Sequence, residues 1–233
     1  MKNEITILLA INKDMQNEDA AKRFLSEQAD ALDFMHPKTV LVDTITSYEQ
    51  YMDFCIFGAD EHFDTDFALV VQMDSFVANP NAWSDEFFEY DYIGAPWQEP
   101  LHPGLPDSYK TPYTKDLLVG NGGFSLRSKN LYSALKKVEK QRPYNEGEDV
   151  FICLNVRKEL QSLGVKFAPY EIAKKFSVER DNYVGQLGVH DWVSYKNNVF
   201  RFKESGDFNR ICFLENVRRE YPIAKSVDNS AEK

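Results

Sequence analysis

The sequence predicts a single α/β domain with a mostly parallel central sheet flanked by helices. Three short apolar runs rich in β-branched residues recur at 5–11, 39–42 and 67–71, and segments with helical spacing separate them. Parallel neighbours need such a crossover, usually a helix, to bring the chain back to the same end of the sheet. The third run also ends in polar residues, at the strand end where open α/β sheets bind ligands. A chain of 233 residues can bury a sizeable core. No repeat or linker divides it, so one domain is expected over 1–224, with a polar, frayed tail over 225–233.

The elements follow in order. ITILLAI at 5–11 has strand length and β-branched content. Asn17 is placed to cap a helix reaching Met35, because Ala21, Phe24, Leu25, Leu32 and Met35 share one helical face; Pro37 stops it. TVLV at 39–42 is a second buried strand ending at Asp43, and Ser47 caps a helix through Tyr51, Phe54 and Cys55. FALVV at 67–71 then carries Gln72 and Asp74 to its carboxyl end. DYIGAPW at 91–97 is a short strand entering an irregular stretch over 98–115, which holds Pro100, Pro103, Pro106 and Pro112. A functional lid and a passive surface loop are both open readings of that stretch. Residues 116–119 return to strand character. Ser128 caps a helix with Leu131, Leu135 and Val138 on one face. A further helix over 148–163 turns Val150, Leu154 and Leu160 inward, and Gly164 ends it. A strand at 165–168 and a helix at 208–220 complete the expectation.

Composition narrows the function classes. The formal net charge is -10, from 37 acidic against 27 basic residues. That balance disfavours general binding to nucleic acid or to anionic membranes, which both need basic surface. Cys55, Cys153 and Cys212 are scattered in apolar contexts and read as buried free thiols, which implies a reducing compartment. No apolar run has the length of a transmembrane segment, and the first residues lack a secretory pattern. A cytoplasmic chain is expected, with peripheral contact to the inner face of a membrane left open.

Four polar clusters carry the chemistry. Asp74 emerges at a strand end, where a carboxylate can hold Mg²⁺ or Mn²⁺ together with substrate phosphates, or simply form a turn. Gln72 adds a neutral oxygen, and Asn12 and Asp43 stand at the ends of the neighbouring strands, where a ligand crevice should lie. Gly120-Asn121-Gly122-Gly123 lets backbone approach a ligand closely, and Arg127 can pair with phosphate; a tight turn explains the glycines alone. Glu148-Asp149 begins a helix, whose dipole should lower the carboxyl pKa, and the pair can also supply a general base. His190 suits either a metal site or a structural hydrogen bond.

Read as a series, QMD at 72–74, DYIGAPW at 91–97, GNGGFSLRS at 120–128, ED at 148–149, FSVE at 176–179 and GVH at 188–190 resemble a largely uncharacterised family. That family looks like GT-A-type nucleotide-sugar glycosyltransferases, and the resemblance covers 48–192. It implies that 72–74 stand where GT-A enzymes carry an aspartate–x–aspartate metal motif, with Gln72 replacing the first aspartate. Glu148-Asp149 stands where inverting members carry the acidic pair that includes the base, and His190 matches a late metal-binding histidine.

The implied reaction moves a sugar from a nucleotide-diphosphate donor to a hydroxyl of a glycan or lipid-linked glycan acceptor, in bacterial-type glycan synthesis. Asp149 would be the base with Glu148 beside it, while Asp74 and His190 would hold Mn²⁺ or Mg²⁺. Gly122 and Gly123 would line the sugar pocket, Trp97 would stack on a sugar face, and Asn12, Asp43, Gln72, Asn121 and Arg127 would contact the donor. Inversion follows from that base, although retaining enzymes share the fold. Two other classes fit the same residues: a catalytically silent sugar- or nucleotide-binding module, and a metal-dependent phosphohydrolase. The latter is weakened by the lack of a second ligand cluster in the sequence.

Overall fold

The computed structural model describes residues 4–12, 14–97, 115–144 and 146–191. Its β-branched runs become strands β1 (Ile5–Asn12), β2 (Lys38–Ile45) and β3 (Phe67–Val71), with β2 and β3 pairing in parallel on either side of β1. Helix α1 (Glu18–Ala31) links β1 to β2, and α2 (Tyr48–Asp53) lies between β2 and β3. Beyond β3 the pairing reverses. β6 (Phe124–Ser128) runs antiparallel to β3, and β5 (Tyr92–Gly94) runs antiparallel to β6. The five-stranded sheet, ordered β2-β1-β3-β6-β5, is therefore mixed rather than mostly parallel. The reason is where β6 begins. The glycine segment lies at the carboxyl end of β3, where the Gln72 N–H donates to the Gly123 carbonyl at 3.0 Å, so β6 leaves it in the opposite direction.

Alternate residues of the strands feed two cores, one on each face of the sheet. Ile5, Ile7, Leu9, Leu69 and Val71 pack with Phe24 and Leu25 of α1. Leu8, Ala68 and Val70 pack on the other face with Ile56, Leu131 and Phe151. A small second sheet sits at the carboxyl ends of the parallel strands. It consists of β4 (Ser75–Val77), β8 (Gly188–His190) and β7 (Ser177–Glu179), in the order β4-β8-β7.

Several elements differ from the sequence expectation. β2 is the sheet edge, so only Val42 and Ile45 within it are buried. The first helix stops at Ala31 and tightens into a 3₁₀ turn at Asp33–Met35. The stretch at 116–119 is not a strand, because Lys115–Leu118 forms a 3₁₀ turn, and 165–168 contributes only a bridge between Tyr92 and Phe167. The helix expected over 148–163 is broken into α4 (Glu148–Val150), a π-helical turn at Phe151–Asn155 and α5 (Arg157–Ser162). Between β6 and α4 runs α3 (Lys129–Leu135), and α6 (Tyr170–Phe176) follows α5. Gly164 closes α5 at φ 91°, a left-handed conformation that glycine adopts freely. The helix expected at 208–220, the tail at 225–233, Cys212 and most of the proline-rich stretch lie outside the described residues. Among the described residues, no helix is long and apolar enough to cross a membrane.

Candidate functional site

Strand order fixes where the site lies. β2 sits on one side of β1 and β3 on the other, so the chain switches direction across the sheet between them. Crevices open beyond the carboxyl ends of strands at such a switch point. A cavity of about 510 Å³ occupies this place, with Asn12 from β1, Ile45 from β2, Tyr48 and Tyr51 from α2, and Gln72 and Asp74 beyond β3 on its walls. Tyr48, which is 55% exposed, and the exposed Met15 offer a broad apolar surface at this cavity. Asp43 is not among its lining residues.

Past Asp74 the small second sheet delivers a histidine and a second carboxylate. β8 pairs with β4 and β7, which sets His190 opposite Ser75 and opposite Glu179. His190 Nε2 lies 3.0 Å from Gln72 Oε1 and 3.5 Å from Asp74 Oδ1, while Nδ1 lies 3.4 Å from Glu179 Oε1. The Nδ1 contact has the distance of an ion pair but not the geometry of a hydrogen bond, so we treat it as electrostatic. Burial favours the neutral ring most strongly, yet the two flanking carboxylates outweigh it and raise the imidazole pKa to about 10. Burial likewise acts to raise the Asp74 carboxyl, but the His190 ring beside it holds it below its usual value. Gln72 is fixed from behind, its Nε2 donating to the Tyr51 hydroxyl at 2.8 Å.

The glycine segment has a different use from the one expected. A Cβ on Gly123 would stand 2.2 Å from His190 Nε2, and one on Gly122 would stand 2.1 Å from Glu148 Oε1. The two glycines therefore make room for an imidazole and a carboxylate. Asn121 is buried, and its side-chain oxygen accepts the Gly123 N–H at 3.3 Å. Arg127, expected to meet phosphate, is 0% exposed and spends its donors inside the protein. Its guanidinium reaches Ser125 Oγ at 2.9 Å, the Cys55 carbonyl at 3.1 Å and Glu148 Oε1 at 3.1 Å. Leaving either member of that buried pair alone would be costly, so Arg127 and Glu148 are better read as a frame for the site.

Asp149, next to this frame, is only partly buried. Its Oδ1 accepts the Val150 N–H at 2.8 Å. The sequence expectation was a lowered pKa, and the structure reverses its sign. Burial first, and then the charge of Glu148, raise the Asp149 carboxyl to about 7. A helix of three residues has too few aligned peptides to offset them. The pair borders the cavity through α2: Met52 Sδ accepts the Glu148 N–H at 3.2 Å. Tyr48 senses the pair as well, since burial and then the charges of Glu148 and Asp149 raise its phenol pKa.

Trp97 lies elsewhere. Its ring covers Gly120, where a Cβ would be 2.1 Å from the indole, and it lines a second cavity of about 420 Å³. Glu179 lines that cavity too, and it is a site residue that the sequence alone gives no role. Only the pairing of β7 with β8 reveals it, because two three-residue strands leave no periodicity to read. Tyr48 and Tyr51 were also missed, although the Ser47 cap that positions α2 was visible in the sequence.

Among the described residues, no three His, Cys, Asp or Glu side chains converge as a closed metal centre requires. The donor set suits an ion held chiefly by Asp74 and completed by phosphate oxygens and water. His190 would have to release its Nε2 proton to join it.

No curated protein matches the chain. Among solved structures, it is similar to a glycosyltransferase involved in the glycosylation of the major capsid of PBCV-1. Identity there is 15% and the TM-score 0.49, covering 93% of this chain and 99% of that one. It is also similar to A197 from STIV, at 13% identity and a TM-score of 0.35, covering 70% of this chain and 79% of that one. Residues 33–190 match the family model described as protein of unknown function DUF5672, a span that holds every site residue from Asp43 to His190. The match takes in more than half of the chain, which therefore belongs to the DUF5672 family.

Proposed function

We propose that the protein is a nucleotide-sugar-dependent glycosyltransferase that binds its donor in the cavity at the ends of β1, β2 and β3. The observation that carries this reading is the cavity's place at the sheet's switch point, with Asp74 on its wall and the Glu148–Asp149 pair beside it. Tyr48 and Met15 give a nucleoside an apolar face, and Asn12 supplies a polar contact beside them. The diphosphate then extends toward Asp74 and His190. Asp74, with Gln72 and His190 adjacent, would hold Mn²⁺ or Mg²⁺, which when bound supplies positive charge to the leaving diphosphate.

Asp149 takes the proton of the acceptor hydroxyl as that oxygen attacks the anomeric carbon. One carbon–oxygen bond forms to the acceptor while the bond to the diphosphate oxygen breaks, and the nucleoside diphosphate leaves with its electron pair. Attack from the face opposite the leaving group inverts the anomeric centre. A carboxyl raised to about 7 is well matched to this task, because it is about half ionised near neutral pH and basic enough to accept a proton.

A thermal-shift screen of nucleotide sugars, with and without Mn²⁺, tests the reading. A ligand present at about 100 times its Kd adds about 2.7 kcal/mol of stability, enough to move the melting temperature by several degrees. Asp74→Ala should remove the Mn²⁺-dependent part of that shift. Gln72→Asp should enlarge it, since an anionic oxygen replaces a neutral one. A screen in which no nucleotide sugar shifts the transition would sink the proposal, and release of inorganic phosphate instead of nucleoside diphosphate would mark a hydrolase.

A further inference from the structure

We infer that the second cavity is an acceptor subsite built for a sugar unit carrying a negative charge; calling it the acceptor side rests on the transferase reading above. Three features of its wall point to such a ligand. Trp97 presents an aromatic side chain to the cavity, of the kind that stacks on the apolar face of a pyranose. Ser177, 1% exposed, also lines it, and among the described residues its hydroxyl has no hydrogen-bond partner. A buried hydroxyl left unsatisfied costs free energy that a ligand hydroxyl would recover.

The third feature is charge. The ammonium groups of Lys115 and Lys174 both stand over the Tyr170 ring, at 5.4 and 5.5 Å from its centroid. All three residues line the cavity, and among the described residues neither lysine has a carboxylate partner. Two acidic residues, Glu179 and Asp181, share the wall, and among the described residues neither lies within ion-pair distance of either lysine. Glu179 faces His190, and Asp181 Oδ1 accepts the Asn182 N–H at 2.6 Å. The two ammonium groups, gathered over one ring and unpaired among the described residues, are placed to meet an anion from the ligand.

The cavity's place fits the role. Asp74 lines the first cavity, Glu179 lines the second, and the His190 ring stands between these two carboxylates. A donor and an acceptor seated in the two cavities would meet across that one side-chain triad. The Glu179 charge also acts on Asp149, which puts the proposed base near the same junction.

Ligand-observed NMR titrations with glucuronate, glucose 6-phosphate and glucose test the inference. The arms are wild type, a Lys115→Ala/Lys174→Ala double variant and Ser177→Ala, with UDP, GDP and ADP binding measured in parallel. Both lysines are exposed and Ser177 Oγ has no partner among the described residues, so all the variants should fold with unchanged or raised melting temperature. Both anions should bind wild type about tenfold more tightly than glucose, as expected for one charge-assisted hydrogen bond. The double variant should lose that preference, and Ser177→Ala should weaken all three sugars while nucleotide binding is unchanged. Glucose binding as tightly as the anions, or full anion affinity in the double variant, would overturn the inference. Nucleotide binding without any binding of the anionic sugars would sink this inference alone. Binding of the anionic sugars without any nucleotide binding would instead sink the transferase reading and leave a sugar site.

Discussion

Gly123 and His190 show how a single residue type can be legible while its purpose is not. The sequence marks 120–123 as a place where backbone must come close to something, and the structure names Trp97, Glu148 and His190 as the closest neighbours. Gly123→Ala sets a methyl 2.2 Å from a ring that is wedged between two carboxylates and cannot swing away cheaply. Overpacking of this kind costs about 1–3 kcal/mol, so the unfolding free energy from urea titration should fall by that much; an unchanged value would show that the ring is free to move.

Asp149 supplies the second test at this scale. Its folded pKa is raised, so the stability it contributes is present below its unfolded value of 3.8 and is lost as pH rises through about 7. Asp149→Asn should therefore gain melting temperature relative to wild type at pH 8, and gain less at pH 5. Activity moves in the opposite sense. The base must be ionised to act, so kcat/KM of wild type should rise through a limb centred near pH 7. Sequence reasoning erred on the sign of this shift because it weighed the helix dipole, a local effect, without the burial and the Glu148 charge that the tertiary fold imposes.

At the scale of elements, local rules were readable and long-range ones were not. Asn17, Ser47 and Ser128 were read as helix caps, and each accepts the expected backbone bond, from Ala20 at 2.9 Å, Gln50 at 3.2 Å and Leu131 at 3.0 Å. The π-helical turns at Phe54–Gly58 and Phe151–Asn155 were not foreseen, nor were the three-residue strands β4, β7 and β8. The three short strands exist because distant segments meet, and no window of the sequence contains both partners. The caps also allow a functional test. Ser47→Ala should cost about 1 kcal/mol of stability and, because α2 carries Tyr48 and Tyr51 to the cavity, should also weaken nucleotide binding. Ser128→Ala removes a comparable cap and a bond to Asp91, yet α3 lines neither cavity, so nucleotide affinity should hold. Equal losses of affinity in the two variants would mean that α2 does not shape the site.

For the whole molecule, the parallel half of the sheet was visible in the order of apolar runs, and with it the end of the sheet at which a ligand site should form. The antiparallel half was hidden, because the direction of β6 depends on where the glycine segment sits in space. Of the anticipated site residues, Gln72, Asp74 and His190 come together at one point, Glu148 and Asp149 stand behind Met52 and Tyr48 of the first cavity's wall, and Trp97 belongs to the second cavity. Arg127 belongs to the core. The proposed function requires that a sugar move from a nucleotide donor with Asp149 as base. Single-turnover release of nucleoside diphosphate, in the presence of an acceptor, tests it most directly in wild type and Asp149→Asn. Asparagine keeps the size and the donor site but cannot take a proton, so donor affinity should persist while transfer slows about 10²–10⁴-fold. Transfer at the wild-type rate by Asp149→Asn would contradict the account.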